Sequence, residues 1–169
     1  LRAKRLRLRF EGFAFSPKLS YVIQLGFTGY DNDGLSGTAN LVRDAIIYYI
    51  PNHNWTFGFG QTKVQGNRAR VNSSSALQFV DRSLTNSTFH LDRDYGLFAT
   101  YNNNLWHNFD YIVKTSITSG EGRNYNSAPN AGFAYTGRLE LFPLGRFKKL
   151  GDLSEGDYER AQKPLFMLA

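Results

Sequence analysis

Three arginines occupy alternate positions near the start of the chain, at Arg5, Arg7 and Arg9. In an extended strand, alternate residues share a face and lie about 6.6 to 7 Å apart, so the three guanidinium groups would form a row. A guanidinium group is planar, keeps its charge at any working pH and offers paired hydrogen bonds to oxyanions. The row could therefore bind phosphate-like anions in succession. The alternative is that these arginines are solvated charges offset by acidic residues such as Glu11.

The arginine row belongs to the first of seven stretches in which apolar and polar side chains alternate. Leu6, Leu8 and Phe10 fill the other positions of that stretch, so one face is apolar and the other is charged. By this alternation, strands are predicted at residues 4–15, 19–30, 41–50, 55–63, 93–102, 109–118 and 132–142. A tilted strand that crosses a bilayer needs about 9 to 11 residues, whereas strands of soluble proteins usually have about 5 or 6. All seven predicted strands are long enough to cross a bilayer.

Short and long connections alternate between the predicted strands. The short ones are residues 16–18, 51–54 and 103–108, and the long ones are residues 31–40, 64–92 and 119–131. Outer-membrane barrels have short periplasmic turns and longer external loops. The pattern therefore predicts an all-β fold, a transmembrane antiparallel up-and-down β-barrel with its apolar parity toward lipid and its charged parity toward a water-filled lumen. Residues 143–163 form a long connection where the alternation predicts a short one, and residues 164–169 begin another strand.

Aromatic residues close to two of the short turns would form a belt at the membrane interface. They are Tyr48, Tyr49, Trp55, Tyr101, Trp106, Phe109 and Tyr111. A soluble β-sandwich that uses such rings in its core would show the same alternation. Strand length and the alternation of the connections favour the barrel.

The composition narrows the classes of partner and of chemistry. Lys and Arg number 20 against 14 Asp and Glu, and the net charge of +6 favours anionic partners. The chain has no cysteine, its three histidines lie far apart, and it has no nucleophile motif such as G-x-S-x-G, so we predict no catalytic residue, no metal and no cofactor. A nucleic-acid site would place aromatic rings on the arginine face. The first strand separates the two, and no nucleic-acid partner is expected.

The long connection at residues 64–92 is a candidate constriction loop. It contains Arg68, Arg70 and Arg82, and the serines at positions 73–75 could cap a short helix. A connection of this length usually has a function of its own. The alternatives are an external loop folded over the mouth of the barrel and a contact to a neighbouring subunit.

Five motifs, in order along the chain, resemble the phosphate-selective porin O and P family. They are LVRDAIIYYIP at residues 41–51, GQTK at 60–63, FVDRSL at 79–84, RDYG at 93–96, and EGD at 155–157 followed by Arg160 and Pro164. The resemblance implies an outer-membrane barrel of about sixteen strands, of which residues 1–169 would be one partial domain. It also implies a trimer, an anion path lined by basic residues, and a loop folded into the lumen. Within the motifs it points to Lys63, Arg82, and Arg93 with Asp94, and it makes residues 143–163 a long periplasmic turn.

The function predicted from these observations is passive diffusion of small hydrophilic solutes through an outer-membrane porin of the bacterial cell. The expected preference is for anions, with phosphate or polyphosphate as the candidate solutes. The predicted anion-pathway residues are Arg5, Arg7, Arg9, Lys63, Arg68, Arg70, Arg82, Arg93 and Arg138. The expected partners are outer-membrane lipid, inorganic anions such as phosphate, and two further copies in a homotrimer. The alternatives are a soluble all-β binding module and a structural outer-membrane barrel in an envelope assembly.

Overall fold

Seven antiparallel strands form one sheet in which every strand pairs with its neighbours in sequence order. The computed structural model describes residues 6–28, 41–72, 77–79, 82–88, 92–106, 108–123, 132–147 and 162–169. The strands are β1 (Arg7–Ala14), β2 (Ser16–Gly26), β3 (Val42–Tyr49), β4 (Trp55–Lys63), β5 (Arg93–Trp106), β6 (Phe109–Thr118) and β7 (Ala134–Phe142). This up-and-down order confirms the predicted fold class. Two short helices, α1 (Arg68–Val71) and α2 (Leu84–Thr88), lie between β4 and β5, and neither is long and apolar enough to cross a membrane.

The exposure of the two faces of the sheet is the reverse of that in a soluble protein, since apolar side chains are exposed and charged side chains are buried. On the apolar face, Ile47, Phe59 and Leu97 leave 52%, 52% and 57% of their surface exposed. On the polar face, Asp94 is fully buried and Glu140 is 1% exposed. A large exposed apolar surface requires an apolar environment, whereas buried charges require paired polar groups. The sheet therefore has one face that needs an apolar environment and one face whose charges are paired.

The first short turn lies before the predicted residues 16–18. Strand β2 already begins at Ser16, and the chain reverses at Phe15, which has a positive φ of 62°. The last register pair between β1 and β2 joins Ala14 to Ser16. Pro17 lies in the register shift between this pair and the pair that joins Phe13 to Ser20, where it has no register partner on β1 that would need the N–H that proline lacks. Its fixed φ also suits an extended strand. The prediction of a turn at Pro17 was wrong because proline is compatible with an irregular, unpaired position near the start of a strand.

Strand β5 is longer than predicted, since it continues through Asn103 and Asn104 to Trp106. The Asn103 side chain donates to the Tyr101 hydroxyl at 2.9 Å, and the Asn104 side chain donates to Asp110 Oδ1 at 2.9 Å. Asparagine is common in turns because its side chain bonds to nearby backbone. Asn103 Oδ1 accepts such a bond from the Asn104 N–H at 2.8 Å, yet pairing with β6 keeps both residues in the strand and overrides their turn preference. The predicted turn at residues 103–108 was therefore too long.

Aromatic rings cluster on the apolar face near the short turns, as the sequence predicts. The Trp55 ring stacks on Phe57 with centroids 5.3 Å apart, and its centroid is 4.7 Å from that of Tyr101. The Tyr101 centroid is in turn 6.0 Å from that of Tyr111. Tyr48 is an exception within the predicted belt, because the alternation of β3 places it on the polar face opposite Gly58.

Leu168 forms an antiparallel bridge with Leu141 of β7, with backbone hydrogen bonds of 2.8 and 3.0 Å. This pairing agrees with the prediction that a strand begins within residues 164–169. Several other predicted features lie outside the described residues. These are Arg5, the loop at 31–40, the serines at 73–75, most of the loop at 119–131, and residues 148–161 of the long turn with its EGD motif.

Candidate functional site

Two cations and one carboxylate form a cluster on the polar face, where β6 pairs with β7. Lys114 and Arg138 are direct register partners, an arrangement that is unfavourable for like charges. Glu140 compensates both, because its Oε1 lies 2.8 Å from Lys114 Nζ and 2.6 Å from Arg138 Nε. Its Oε2 is buried and has no hydrogen-bond partner among the described residues. This group, here called the wall cluster, carries one net positive charge.

The segment that follows β4 reaches the far side of the polar face. Arg138 Nη1 donates to the carbonyl of Gly66 at 3.2 Å, and a Cβ placed on Gly66 would lie 3.0 Å from Thr136 Cγ2. In the sheet, β5 and β6 separate β4 from β7, a span of three strand spacings or about 14 Å. Residues 64–67, here called the crossing segment, therefore run from β4 toward β7, and Val64 within them is buried.

Two basic residues hold the C-terminal end of helix α1. Lys63 Nζ donates to the carbonyl oxygens of Val71 at 3.0 Å and Asn72 at 3.4 Å. Arg82 donates to the Ala69 carbonyl at 2.9 Å and to the Asn72 carbonyl at 2.6 Å. The last carbonyls of a helix lack partners within it and carry partial negative charge, so cations are favourable there. These two predicted pathway residues therefore engage the backbone of the long loop itself.

A second charged network joins the end of the long loop to the sheet. Arg93 binds Asp44 of β3 through two hydrogen bonds of 2.9 and 3.1 Å, and its Nη1 lies 3.1 Å from Asp92 Oδ1. Arg70 of α1 also pairs with Asp92, with Nη2 2.6 Å from Oδ2. Only 4% of the Arg93 side chain is exposed. The network therefore fixes helix α1 and β5 to β3, across the intervening β4.

The pKa of Asp92, in the loop just before β5, reflects this network. Burial raises the pKa of the Asp92 carboxyl, but the hydrogen bond from Arg70 and the charges of Arg93, Arg70 and Arg43 lower it more. The net result is a pKa well below the usual range of an aspartate. Asp92 therefore stays ionised and keeps its two arginine partners in moderately acidic solution.

Asp94 anchors the connection that follows β6. Its Oδ1 accepts hydrogen bonds from the Tyr95 N–H at 2.9 Å and the Ser119 hydroxyl at 2.6 Å, and its Oδ2 accepts from the Gly120 N–H at 2.7 Å. These three donors offset the burial of the carboxylate. In the RDYG motif, Arg93 and Asp94 both bind other parts of the chain.

The remaining predicted pathway residues are spread over the sheet. Arg7 and Arg9 lie on β1, at the opposite end of the strand order from Arg138 on β7. Arg9 pairs with Glu11 at 2.7 Å and keeps 53% of its side chain exposed. Arg68 lies in helix α1. The structure thus brings Lys63 together with Arg82, and Arg70 with Arg93, while Arg9 pairs with Glu11 on its own strand.

Two members of the wall cluster were absent from the predicted pathway residues. The alternation already places Lys114 and Glu140 on the polar parity of their strands. Their contact depends on the register that sets Lys114 opposite Arg138. The alternation within a single strand does not reveal this register.

A polar cleft of about 310 Å³ lies at the short-turn end of the sheet. It is lined by His53, Asn54, Asn102, Asn103, Asn104, Asp110 and Arg146. Arg146 Nε lies 3.3 Å from Asp110 Oδ2, so the charged groups of the cleft offset each other. This end of the polar face presents mainly amide groups.

An up-and-down antiparallel sheet with an exposed apolar face, a polar face bearing cations and alternating turn lengths defines the class of porin-like β-barrel proteins. The family model of phosphate-selective porin O and P matches residues 1–151 of the 169-residue chain. The protein therefore belongs to this family of outer-membrane porins, which confirms the resemblance seen in the motifs and indicates a channel protein. Comparisons with curated proteins and with solved structures found no match.

Proposed function

We propose that the protein is a porin of the bacterial outer membrane for passive diffusion of small hydrophilic solutes, with a preference for anions. Inorganic phosphate or polyphosphate is the proposed solute class. The observation that carries the proposal is the wall cluster, two cations that share one carboxylate on the polar face of a sheet whose other face is apolar. Fixed positive charge beside a low-dielectric wall concentrates anions and repels cations.

The proposed anion path divides the basic residues into two groups. Arg7 and Arg9 extend from β1 on the polar face and would meet the solute directly, together with the predicted Arg5, which lies outside the described residues. Lys114 and Arg138 bind Glu140 and belong to the second group, with 15% and 11% of their side chains exposed. Lys63, Arg68, Arg70, Arg82 and Arg93 contribute positive potential from the long loop and its ends. Lys63, Arg70, Arg82 and Arg93 direct hydrogen bonds to carbonyls and carboxylates of the chain. A guanidinium in the first group can bind a phosphate oxygen pair through two parallel hydrogen bonds.

The long connection at residues 64–92 is the proposed constriction. Support comes from the crossing segment, which reaches Arg138 on β7, and from the two charged networks that hold α1 in place. A loop held at this position would narrow the water-filled space beside the wall cluster. The apolar face is proposed to contact outer-membrane lipid, and the family resemblance supports a homotrimer. A soluble binding module would need a cover for the apolar face, which the described residues leave exposed.

The proposal is tested with the full-length protein in a planar lipid bilayer under a KCl gradient. The reversal potential should have the sign of chloride selectivity, and a preference for potassium would contradict the proposal. Lys114→Gln should move the potential toward zero, because it leaves the Arg138–Glu140 pair without net charge. Lys18→Gln, at the short-turn end of β2, is the matched control. An equal shift of the reversal potential in both variants would show that the wall cluster does not line the anion path.

Two further measurements refine the proposal. The double variant Arg7→Gln with Arg9→Gln should also move the potential toward zero if the β1 row lines the path. Inorganic phosphate added to the KCl solution should reduce the chloride current if the path binds phosphate. An undiminished current would restrict the function to a general preference for anions.

A further inference from the structure

Arg138 connects the wall to the long loop. One edge of its guanidinium, at Nε, faces Glu140 Oε1 at 2.6 Å, while Nη1 donates to the Gly66 carbonyl at 3.2 Å. The residues joined by the second bond are 72 positions apart in sequence. A single side chain thus links a carboxylate of β7 to the backbone of the crossing segment.

Glu140 determines where that guanidinium lies. A free arginine side chain has many rotamers, and holding it in one of them costs conformational entropy. Only 2% of the Glu140 side chain is exposed, and Lys114 holds the same Oε1 from the neighbouring strand at 2.8 Å. Burial and the bond from Lys114 therefore restrict the carboxylate, and a restricted carboxylate bonded to Nε leaves the guanidinium fewer orientations, among them the one in which Nη1 meets the loop.

The crossing segment fits closely against β7 at this position. A Cβ on Gly66 would approach Thr136 Cγ2 to 3.0 Å, which is closer than ordinary van der Waals contact. The absence of a side chain at Gly66 therefore permits the approach that the Arg138 hydrogen bond requires. Of the contacts described between this segment and β7, the hydrogen bond is the polar one.

We infer that Glu140 is a positioning residue that orients Arg138 and, through it, holds the crossing segment against β7. Removal of the carboxylate should then release the loop in addition to changing the charge of the wall. The inference deepens the proposed porin function, on which it rests only for its consequence for ion flow. The position of the loop itself can be measured without any current.

The test uses disulfide formation in the full-length protein. The 169-residue sequence has no cysteine, so the pair Gly66→Cys and Thr136→Cys introduces the two thiols under study. Thr136→Cys removes the Cγ2 methyl group that a Cβ at position 66 would meet at 3.0 Å, so the pair avoids this close contact and brings the two thiols within reach of each other. The rate of cross-linking under a mild oxidant then reports how often the crossing segment lies against β7. Absence of any cross-link in the parent pair would overturn the inference.

Glu140→Gln is added to the cysteine pair, with Glu11→Gln as the matched control. Both substitutions remove one negative charge from the polar face, but Glu11 pairs with Arg9 on β1, the opposite edge strand of the sheet from β7. Glu140→Gln should slow cross-linking about threefold to tenfold, the factor that corresponds to one hydrogen bond of ordinary net strength. Glu11→Gln should leave the rate unchanged. Equal rates in the parent and Glu140→Gln, or equal slowing by both variants, would overturn the inference.

Arg138→Lys provides a second variant in case Glu140→Gln does not fold. It keeps a positive charge beside Glu140, but a single ammonium group lacks the planar fork that reaches both Glu140 and Gly66. It should slow cross-linking to a similar extent, and an unchanged rate would contradict the role of Arg138. The reversal potential of the unmodified protein tests the porin proposal separately, so failure of one does not imply failure of the other.

Discussion

Replacement of Ile47 by arginine distinguishes a sheet that faces lipid from one that faces water. Ile47 lies on the apolar face opposite Phe59, the middle residue of β4, and 52% of its surface is exposed. An arginine on the lipid face near the bilayer midplane costs about 2 to 4 kcal/mol. That cost lowers the ratio of folded to unfolded protein by about 30-fold to 900-fold. In a soluble protein, the same substitution at a half-exposed position would change stability by no more than about 0.5 kcal/mol.

The control for this prediction is Thr100→Arg, on the polar face of β5. Thr100 is half-buried between Thr56 and Lys114, so an arginine there points toward the proposed water-filled side. Its cost should stay below about 1 kcal/mol, since it adds only one like charge across from Lys114. The free energy of unfolding is measured for the full-length protein in lipid vesicles by titration with denaturant. Equal, small losses for Ile47→Arg and Thr100→Arg would refute the assignment of the apolar face to lipid.

Two further predictions concern the backbone of β4 and the acidic residue that precedes β5. Gly60 has a φ of 131°, and a Cβ there would collide with the Ala45 carbonyl, so Gly60→Ala should lower the free energy of unfolding by about 1 to 3 kcal/mol. The control Gly137→Ala meets no atom within 4 Å and should be nearly neutral; a similar loss in both would refute this reasoning. The folded-state pKa of Asp92 lies below the unfolded value of about 3.9, so its stabilising contribution is present above that pH and is lost as the pH falls through the folded pKa. The difference in unfolding free energy between the parent and Asp92→Asn should therefore be constant from neutral pH down to about pH 4 and shrink only in stronger acid, and a difference that disappears near pH 6 would contradict the network.

Strand bounds show where local patterns suffice and where they do not. The bounds predicted for β4 and β6, residues 55–63 and 109–118, agree with the structure, because apolar side chains recur on alternate positions over most of each strand and turn residues lie next to their short-turn ends. The predicted turns at Pro17 and Asn103 were displaced or too long. Both residue types favour turns in isolation, but pairing with an adjacent strand, or the lack of it, decides the outcome at each position.

The candidate site also has a part that the sequence predicts and a part that only the paired strands decide. Alternation places Lys114, Arg138 and Glu140 on one face of the sheet, and their charges are evident from the residue types alone. Their contact is decided by the register of β6 against β7, which pairs Lys114 with Arg138 and leaves Glu140 in reach of both. In the same way, no local pattern indicates that Arg93 would bind Asp44 two strands away.

The sequence by itself determined the class of the protein, the two faces of its sheet and its family, because alternation and short motifs are properties of neighbouring residues. The tertiary structure decided which charges meet. Lys114 and Glu140 are 26 positions apart, and Arg138 and Gly66 are 72 apart. Such contacts depend on register and on the course of the long loop, which many residues determine together. For that reason the sequence did not indicate that Lys63 and Arg82 bind the backbone of the loop, or that Lys114, Arg138 and Glu140 form one cluster across two paired strands.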